Sequence, residues 1–350
     1  MDDRDFPNPR FENCNVARTE FRDVLTQSIM VSQVIARKLT LGDYAEGAIG
    51  RSLKKCLKHK KQVLKDSDRE PLHQMRIGFR RLRTVISVFD RVLELPEDAS
   101  ERKIRKTVDV LGAVRDLDVL QAELATRYRS NLSGKEGKCL DSVLDTLKKQ
   151  RVKDFHHLEK ALKGDRFDRL IGCLQDWLAR PASKAMAILP IRDALPDLLG
   201  PTISQLFLHP GWWVGTTRGN ELNDASAAHV IGMLQQIDRE STSLHDLRKQ
   251  VKRVRYQTEV FLDCYDETYA RQTREFKQIQ GLLGQMQDQA VLREFLAKVL
   301  NCDVARILPT VAAQMRLEQW QLWQEWQPIR DRYLDADFRQ SVRLLVLNPN

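Results

Sequence analysis

Apolar residues recur every three or four positions along most of the chain, the spacing that places them on one face of an α-helix. One such series follows Pro71, and proline is well suited to the first turn of a helix. Its members are Leu72, Met75, Phe79, Leu82, Ile86 and Phe89. We find no sustained alternation of apolar and polar residues of the kind that a half-buried β-strand needs. The pattern therefore predicts an all-α protein.

The predicted helices divide the chain into four regions. Residues 1–40 form an N-terminal leader with one helix, residues 41–180 a first helical bundle, residues 181–222 a connector rich in proline and glycine, and residues 223–350 a second helical bundle. Short helices are expected within the connector because its prolines interrupt the apolar spacing. The predicted helices of the first two regions cover 20–39, 44–65, Pro71 to Pro96, 101–128, 139–163 and 166–180, with a loop at 130–137.

Two sequence blocks occur twice, each time 172 positions apart. The segment LHQMRIGFRRLR at 72–83 recurs as LHDLRKQVKRVR at 244–255, and LGAVRDLDVL at 111–120 recurs as LGQMQDQAVL at 283–292. Both blocks keep one register without a gap, which is the signature of an internal structural repeat. We therefore predict that the two bundles are related by a pseudo-twofold axis.

The first repeated block places a row of basic residues beside the apolar face of its helix. At about 100° per residue, the row occupies one sector and the apolar residues the next. Each row extends along roughly 15 Å of helix, which suits an extended charged polymer better than one small anion. The candidate binding residues, including one basic neighbour in each copy, are His73, Arg76, Arg80, Arg81 and Arg83 in the first half and His245, Arg248, Lys252, Arg253 and Arg255 in the second.

A second basic row precedes the first and consists of Lys54, Lys58, Lys61 and Lys65, of which the first three are candidate binding residues. These lysines fall within a sector of about 60° on the predicted helix. The corresponding positions of the second half include Met233 and Ile237, so this row occurs in the first half only. We expect the two halves to contribute unequally to binding.

The charge of the chain is concentrated in the same region. Lys and Arg number 57 against 48 Asp and Glu, a net charge of +9, and residues 51–106 alone carry 17 basic and 8 acidic residues. This local excess equals that of the whole chain and favours a polyanionic partner. The alternative explanation is an ordinary exposed helix face. Like charges one turn apart destabilise a helix by roughly 0.2–0.5 kcal/mol per pair, however, and the arrangement occurs twice, which favours binding.

Other residues have both functional and structural interpretations. His73 and His245 are anion contacts or hydrogen-bonding structural residues, and an adjacent anion would favour the imidazolium. Asp116 and Asp288 are interpreted as partners that orient an arginine of the basic row, and Gly112 and Gly284 as sites of close helix approach. The aromatic series Trp320, Trp323 and Trp326 has helical spacing and is interpreted as core packing rather than a platform for nucleic-acid bases.

Composition and sequence motifs limit the classes of protein to which the chain can belong. No apolar run approaches the roughly 20 residues that span a bilayer, and the N-terminal residues lack the pattern of a signal peptide. Six scattered cysteines without a C-x-x-C pair fit a reducing cytoplasm and suggest no metal site. Motifs of P-loop, dinucleotide-binding, zinc-protease and serine-hydrolase enzymes are absent. We therefore expect a cytoplasmic binding module without a cofactor, rather than an enzyme.

At the repeated blocks, over about residues 41–350, the chain resembles the CHAD family, the conserved histidine α-helical domain. The resemblance implies two four-helix bundles about a pseudo-twofold axis, with the basic residues of both rows lining a central groove or pore. It further implies binding of inorganic polyphosphate and association with polyphosphate granules. Two alternatives stay open. One is a nucleic-acid binding protein, although the only aromatic residue in 72–83 is Phe79; the other is a polyphosphate or triphosphate hydrolase that uses the histidines.

Overall fold

A computed structural model describes residues 39–216 and 227–350, so the helix predicted over 20–39 lies outside the described residues. Within the described ranges the regular structure is helical and no β-strand is present, which confirms the all-α prediction. The helices of the first half are α1 (Leu41–Lys58), α2 (Lys60–Lys65), α3 (Glu70–Val88), α4 (Glu101–Glu123), α5 (Gly134–Lys163) and α6 (Asp165–Ala179). Those that follow are α7 (Ile191–Phe207), α8 (Ala227–Arg239), α9 (Ser241–Val260), α10 (Glu267–Leu300), α11 (Val304–Ile307), α12 (Pro309–Leu334) and α13 (Ala336–Leu347).

Local signals account for several helix boundaries. Thr40 caps α1, because its Oγ1 accepts a hydrogen bond from the Asp43 amide while its own amide donates to the Asp43 carboxylate. The predicted helix over 44–65 is interrupted at His59, which separates α1 from α2. Helix α3 begins with Pro71 in its first turn, as predicted, but ends at Val88 rather than near Pro96.

The connector contains a longer helix than its prolines predict. Helix α7 runs for 17 residues through Pro196 and Pro201. Each proline removes one backbone hydrogen bond, but the helix packs against α9 and α13 through buried residues such as Leu199 and Ile203. The expectation of only short helices there was wrong, because tertiary packing outweighs the local helix-breaking tendency.

The two halves share their apolar cores. The larger core contains residues from α1 through α13, and the smaller one joins the end of α4 and α5 to α10, α11 and α12. Phe89 and Phe261, which occupy equivalent positions in the repeat, contact each other edge to face with ring centroids 5.7 Å apart. Contact between equivalent residues is what a pseudo-twofold axis between the halves requires; the axis itself stays a prediction.

The tryptophan series of α12 belongs to the core, as its spacing indicates. Trp323 and Trp326 are fully buried, and the Trp326 ring stacks on Trp212 with centroids 5.2 Å apart. These rings are therefore inaccessible to an external ligand. No helix in 39–216 or 227–350 is both long enough and apolar enough to cross a membrane.

Candidate anion-binding groove

A groove of about 750 Å³ lies between α3, α4 and α9. We call it the basic groove. Its walls bring together side chains of both repeats, because α3 carries the first row and α9 the second. The basic side chains that line it are Arg76, Arg80 and Arg83 from α3, Arg105 from α4, and Lys249, Lys252 and Arg253 from α9.

Part of this positive charge is balanced within the groove. Asp116 accepts from Arg76, with Nη2 and Oδ1 3.1 Å apart, so its predicted role as partner of the basic row is confirmed. Arg83 pairs with Glu101, and Arg105 lies 3.8 Å from Asp109. The half of the row nearest α4 is thus held in place by carboxylates of that helix.

Three cations on the α9 side of the groove lack such partners, whereas Lys249 pairs with Asp246 at 2.9 Å. Among the described residues, no carboxylate forms an ion pair with Arg80, Lys252 or Arg253. The Arg80 guanidinium instead donates a 2.9 Å hydrogen bond to the Tyr256 hydroxyl and lies over the Tyr256 ring. An anion entering the groove would therefore meet cations that no protein carboxylate neutralises.

Lys252 occupies the point where the two rows meet. Loss of hydration, reinforced by the positive charges of Arg80, Arg248, Arg76 and Arg83, lowers the pKa of Lys252 to about 7. Three of these arginines come from the first repeat and one from the second. The pKa of this one ammonium group therefore depends on both rows. An anion bound beside it would raise the pKa and favour the protonated form.

The two repeat histidines lie beside the rows rather than in the lining of the basic groove. Burial lowers the pKa of both His73 and His245, and nearby arginines and Lys249 add to the effect. Without a ligand these effects favour the neutral imidazole, whereas an adjacent anion would favour the imidazolium. The Nδ1 atom of each is buried without a hydrogen-bond partner in the described structure. No group of three or more His, Cys, Asp or Glu side chains that could hold a metal ion is found in the described ranges.

The glycines of the second repeated block face arginines rather than a neighbouring helix backbone. A β-carbon at Gly112 would lie 3.6 Å from Nε of Arg76, and one at Gly284 would lie 3.5 Å from Nε of Arg248. These are ordinary contact distances, so close helix approach is not the reason for glycine there. Both copies nevertheless keep the same arginine against the same glycine.

Three predicted residues lie around the groove without lining it. Arg248 lies against Gly284, and Arg255 pairs with Glu259 at 2.8 Å. Arg81 faces a second cleft of about 520 Å³ and lies 3.7 Å from Glu259. Tyr256 lines both cavities and separates them.

The lysine row lies elsewhere on the surface. Lys54, Lys58 and Lys61 are exposed on α1 and α2, and none of them lines the basic groove. The counterparts of Lys61 and Lys65 are Met233 and Ile237, which are buried in the larger core, and this explains why the second half has no such row.

Sequence reasoning missed three residues that line the groove, namely Arg105, Lys249 and Tyr256. Arg105 lies two turns before Gly112 on α4, so helical spacing could have placed it on the same face. Tyr256 follows the second row directly, but its contact with Arg80 joins positions far apart in sequence. Outside the groove, the salt bridges of Arg151 to Asp66 and to the buried Asp118, which fix α5 to the end of α2 and to α4, had no local signal.

Comparisons with known proteins agree with this architecture. The CHAD domain family model matches residues 47–297, more than half of the chain. The chain belongs to the CHAD domain family. Two uncharacterized proteins from two strains of Mycobacterium tuberculosis are each 27% identical to this CHAD protein over 228 residues, 65% of its length. The chain spans only 40% of the length of these relatives.

Two solved structures share the CHAD fold. The crystal structure of the CHAD domain from the plant Ricinus communis matches 90% of this chain and 95% of its own, with 23% identity and a TM-score of 0.53. PptA from Streptomyces chartreusis matches 88% of this chain and 98% of its own, with 16% identity and a TM-score of 0.52. At these identities the likeness supports the fold alone.

Proposed function

We propose that this CHAD protein binds inorganic polyphosphate in the basic groove and releases it without cleaving it. The observation that carries the proposal is the cluster of Arg80, Lys252 and Arg253, to which the described structure gives no carboxylate partner. Lys252 is desolvated and crowded by arginines, which makes its positive charge costly, and a polyanion would offset that cost. Arginines fork across two phosphate oxygens, while lysine supplies a compact charge.

The lining of the groove favours polyphosphate over nucleic acid. Single-stranded nucleic acids are bound largely by stacking bases on accessible aromatic rings. The aromatic ring of the lining is Tyr256, which is buried and covered by the guanidinium groups of Arg80 and Arg255. A polymer without bases needs no such platform. Association with polyphosphate granules in the cytoplasm is part of the proposal and rests on the family resemblance.

The test replaces the three cations that have no carboxylate partner with uncharged glutamine. Arg80→Gln, Lys252→Gln and Arg253→Gln combined should weaken polyphosphate binding at least about 100-fold, since each charge-assisted contact contributes roughly 1.5–3 kcal/mol. These changes break no ion pair of the described structure, so the variant should fold. Binding is measured by isothermal titration calorimetry with long-chain polyphosphate at fixed salt, and folding by circular dichroism.

The matched control removes three exposed lysines from α5, Lys149→Gln, Lys153→Gln and Lys160→Gln, which makes the same change in net charge away from the groove. This control should bind like the wild type. Equal losses in both variants would contradict a specific groove. Displacement of polyphosphate by single-stranded DNA of equal charge would favour nucleic acid, and release of phosphate with Mg²⁺ would favour a hydrolase.

A further inference from the structure

A third cavity lies within the second half, between α8, α9, α10, α11 and α12, and shares no lining residue with the basic groove. Its volume is about 160 Å³, and apolar side chains such as Leu244, Leu283, Met286 and Met315 form most of its wall. An apolar cavity of about 150 Å³ holds a benzene ring in another protein. The cavity is therefore large enough for a ligand with one small ring.

Two polar atoms of the cavity wall are left without partners. Gln289 is 4% exposed, and its Nε2 donates a 3.0 Å hydrogen bond to the buried Glu318. The Glu318 carboxylate only accepts hydrogen bonds, so the nitrogen of the Gln289 amide, and not its oxygen, must face it. Its Oε1 has no hydrogen-bond partner among the described residues, and neither does the buried Nδ1 of His245 in the same wall.

The Asp238–Arg293 pair of the wall is already satisfied, and Arg316, the other basic residue of the lining, is exposed to solvent. Arg293 forks across the Asp238 carboxylate, with nitrogen–oxygen distances of 2.8 and 3.2 Å, and Gln319 donates to Asp238 at 2.9 Å. A charged ligand would compete with these bonds. An uncharged ligand would leave these bonds intact, and a small shift of the Gln289 side chain would bring its buried, unpaired Oε1 within reach of a ligand donor.

The repeat shows that this cavity is particular to the second half. Asp238 corresponds to Asp66, but the positions of Arg69 and Asp118 are taken by Ser241 and Ala290. In the first half, Arg69 and Arg151 both bond to Asp118, with Nε–Oδ1 distances of 3.3 and 2.9 Å. The second half has short side chains at the corresponding positions, and space remains between its helices.

The same comparison sets Gln289 apart. Its counterpart in the first half is Leu117. A buried amide replaces an apolar side chain at the position that faces the cavity, and its oxygen is left unsatisfied at a cost of roughly 1–3 kcal/mol. A ligand that donates a hydrogen bond would remove that cost.

We propose that this cavity binds a small, uncharged, mainly apolar molecule with a hydroxyl group, of the size of a single aromatic ring. The hydroxyl donates to Oε1 of Gln289, the ring packs between Met286 and Met315, and the Asp238–Arg293 pair stays intact. This site is independent of the polyphosphate proposal, because none of its lining residues lines the basic groove.

The test uses phenol as the probe and toluene as the ring of similar size that lacks the donor. In the full chain with methyl-labelled methionine, phenol should shift the NMR resonances of Met286 and Met315 and raise the melting temperature. Gln289→Leu, which restores the residue of the first half, should weaken phenol binding about tenfold and leave toluene unchanged.

Ala290→Leu should fill the cavity and abolish binding of both probes, whereas Ala161→Leu, the same change on the exposed face of α5, should have no effect. If Ala290→Leu does not fold, the affinities of Gln289→Leu for phenol and for toluene test the proposal instead, because only phenol binding should weaken. Absence of methionine shifts at millimolar phenol would mean that the cavity holds water only and would overturn the proposal. So would equal affinity of Gln289→Leu and the wild type for phenol.

Discussion

Lys252 shows how the fold changes the chemistry of a single residue. In sequence it is one of several basic residues on a helix, with an ordinary lysine pKa near 10.4 in a solvated chain. In the folded protein, loss of hydration and four neighbouring arginines lower that pKa to about 7. At physiological pH its charge therefore depends on whether an anion is bound.

We predict that polyphosphate binding takes up a proton at Lys252. Above pH 7 the free protein holds the neutral amine, and binding restores the ammonium, so affinity should fall by up to about tenfold per pH unit as pH rises from 7 to 9. Calorimetry at pH 8 in buffers of different ionisation enthalpy measures the proton taken up. Lys252→Arg keeps its charge throughout this range and should bind with a flatter pH profile; a profile as steep as that of the wild type would exclude Lys252 as the group that titrates.

The stability of the free protein should change in the opposite direction with pH. The lowered pKa means that, between pH 7 and about 10.4, the unfolded chain holds a proton at Lys252 that the folded protein lacks. The contribution of this residue to the free energy of unfolding therefore increases with pH in that window. Below pH 7 both states are protonated, and the cost of the buried charge is fully present.

At the scale of elements, the position of α3 depends on Gly78, which lies within the helix that carries the first basic row. A β-carbon at Gly78 would lie 3.0 Å from the backbone nitrogen of Cys56 and 3.1 Å from its Cα, so α1 and α3 are in backbone contact there. The second half has Gln250 at the equivalent position, and its side chain donates to the Thr202 carbonyl of α7. The two basic rows thus lie on helices with the same sequence pattern, but these helices contact different neighbouring helices.

We predict that Gly78→Ala is less stable than Gly172→Ala by about 1–3 kcal/mol. Both changes occur inside helices and gain the same helix propensity, but nothing lies within 4 Å of a β-carbon at Gly172. The difference therefore isolates the clash with α1. Urea denaturation followed by circular dichroism gives both free energies of unfolding, and equal values would show that α1 and α3 separate without cost.

At the scale of the whole molecule, the repeat does not divide the chain into two independent cores. The smaller core combines Leu140 and Val143 of the first half with Leu292 and Val311 of the second. The larger core likewise extends across both halves. Neither half can keep its apolar surface buried when the other unfolds.

We therefore predict a single cooperative unfolding transition. Circular dichroism reports all helices, whereas three of the six tryptophans lie in the second half and Trp212 of the connector stacks on one of them, so fluorescence reports mainly on the second half. The two signals should give the same midpoint in a urea titration. A fluorescence midpoint displaced from that of circular dichroism would show that the halves unfold separately.

The sequence by itself determined the helical class, the repeat and the two rows of basic residues. These features follow from local geometry, because a turn of about 100° per residue assigns side chains such as Arg76 and Arg80 to one face whatever surrounds the helix. From the sequence, it was only a hypothesis, supported by the family resemblance, that these side chains line the same groove as Lys252.

Only the tertiary structure decided which of these cations remain without a partner. Asp116 neutralises Arg76 while Arg80 turns to Tyr256, and the lysine row stays outside the groove. The cavity at Gln289 was likewise invisible in the sequence, since it depends on side chains from five helices. Burial and charge pairing arise from contacts between residues distant along the chain, and helical periodicity carries no information about such contacts.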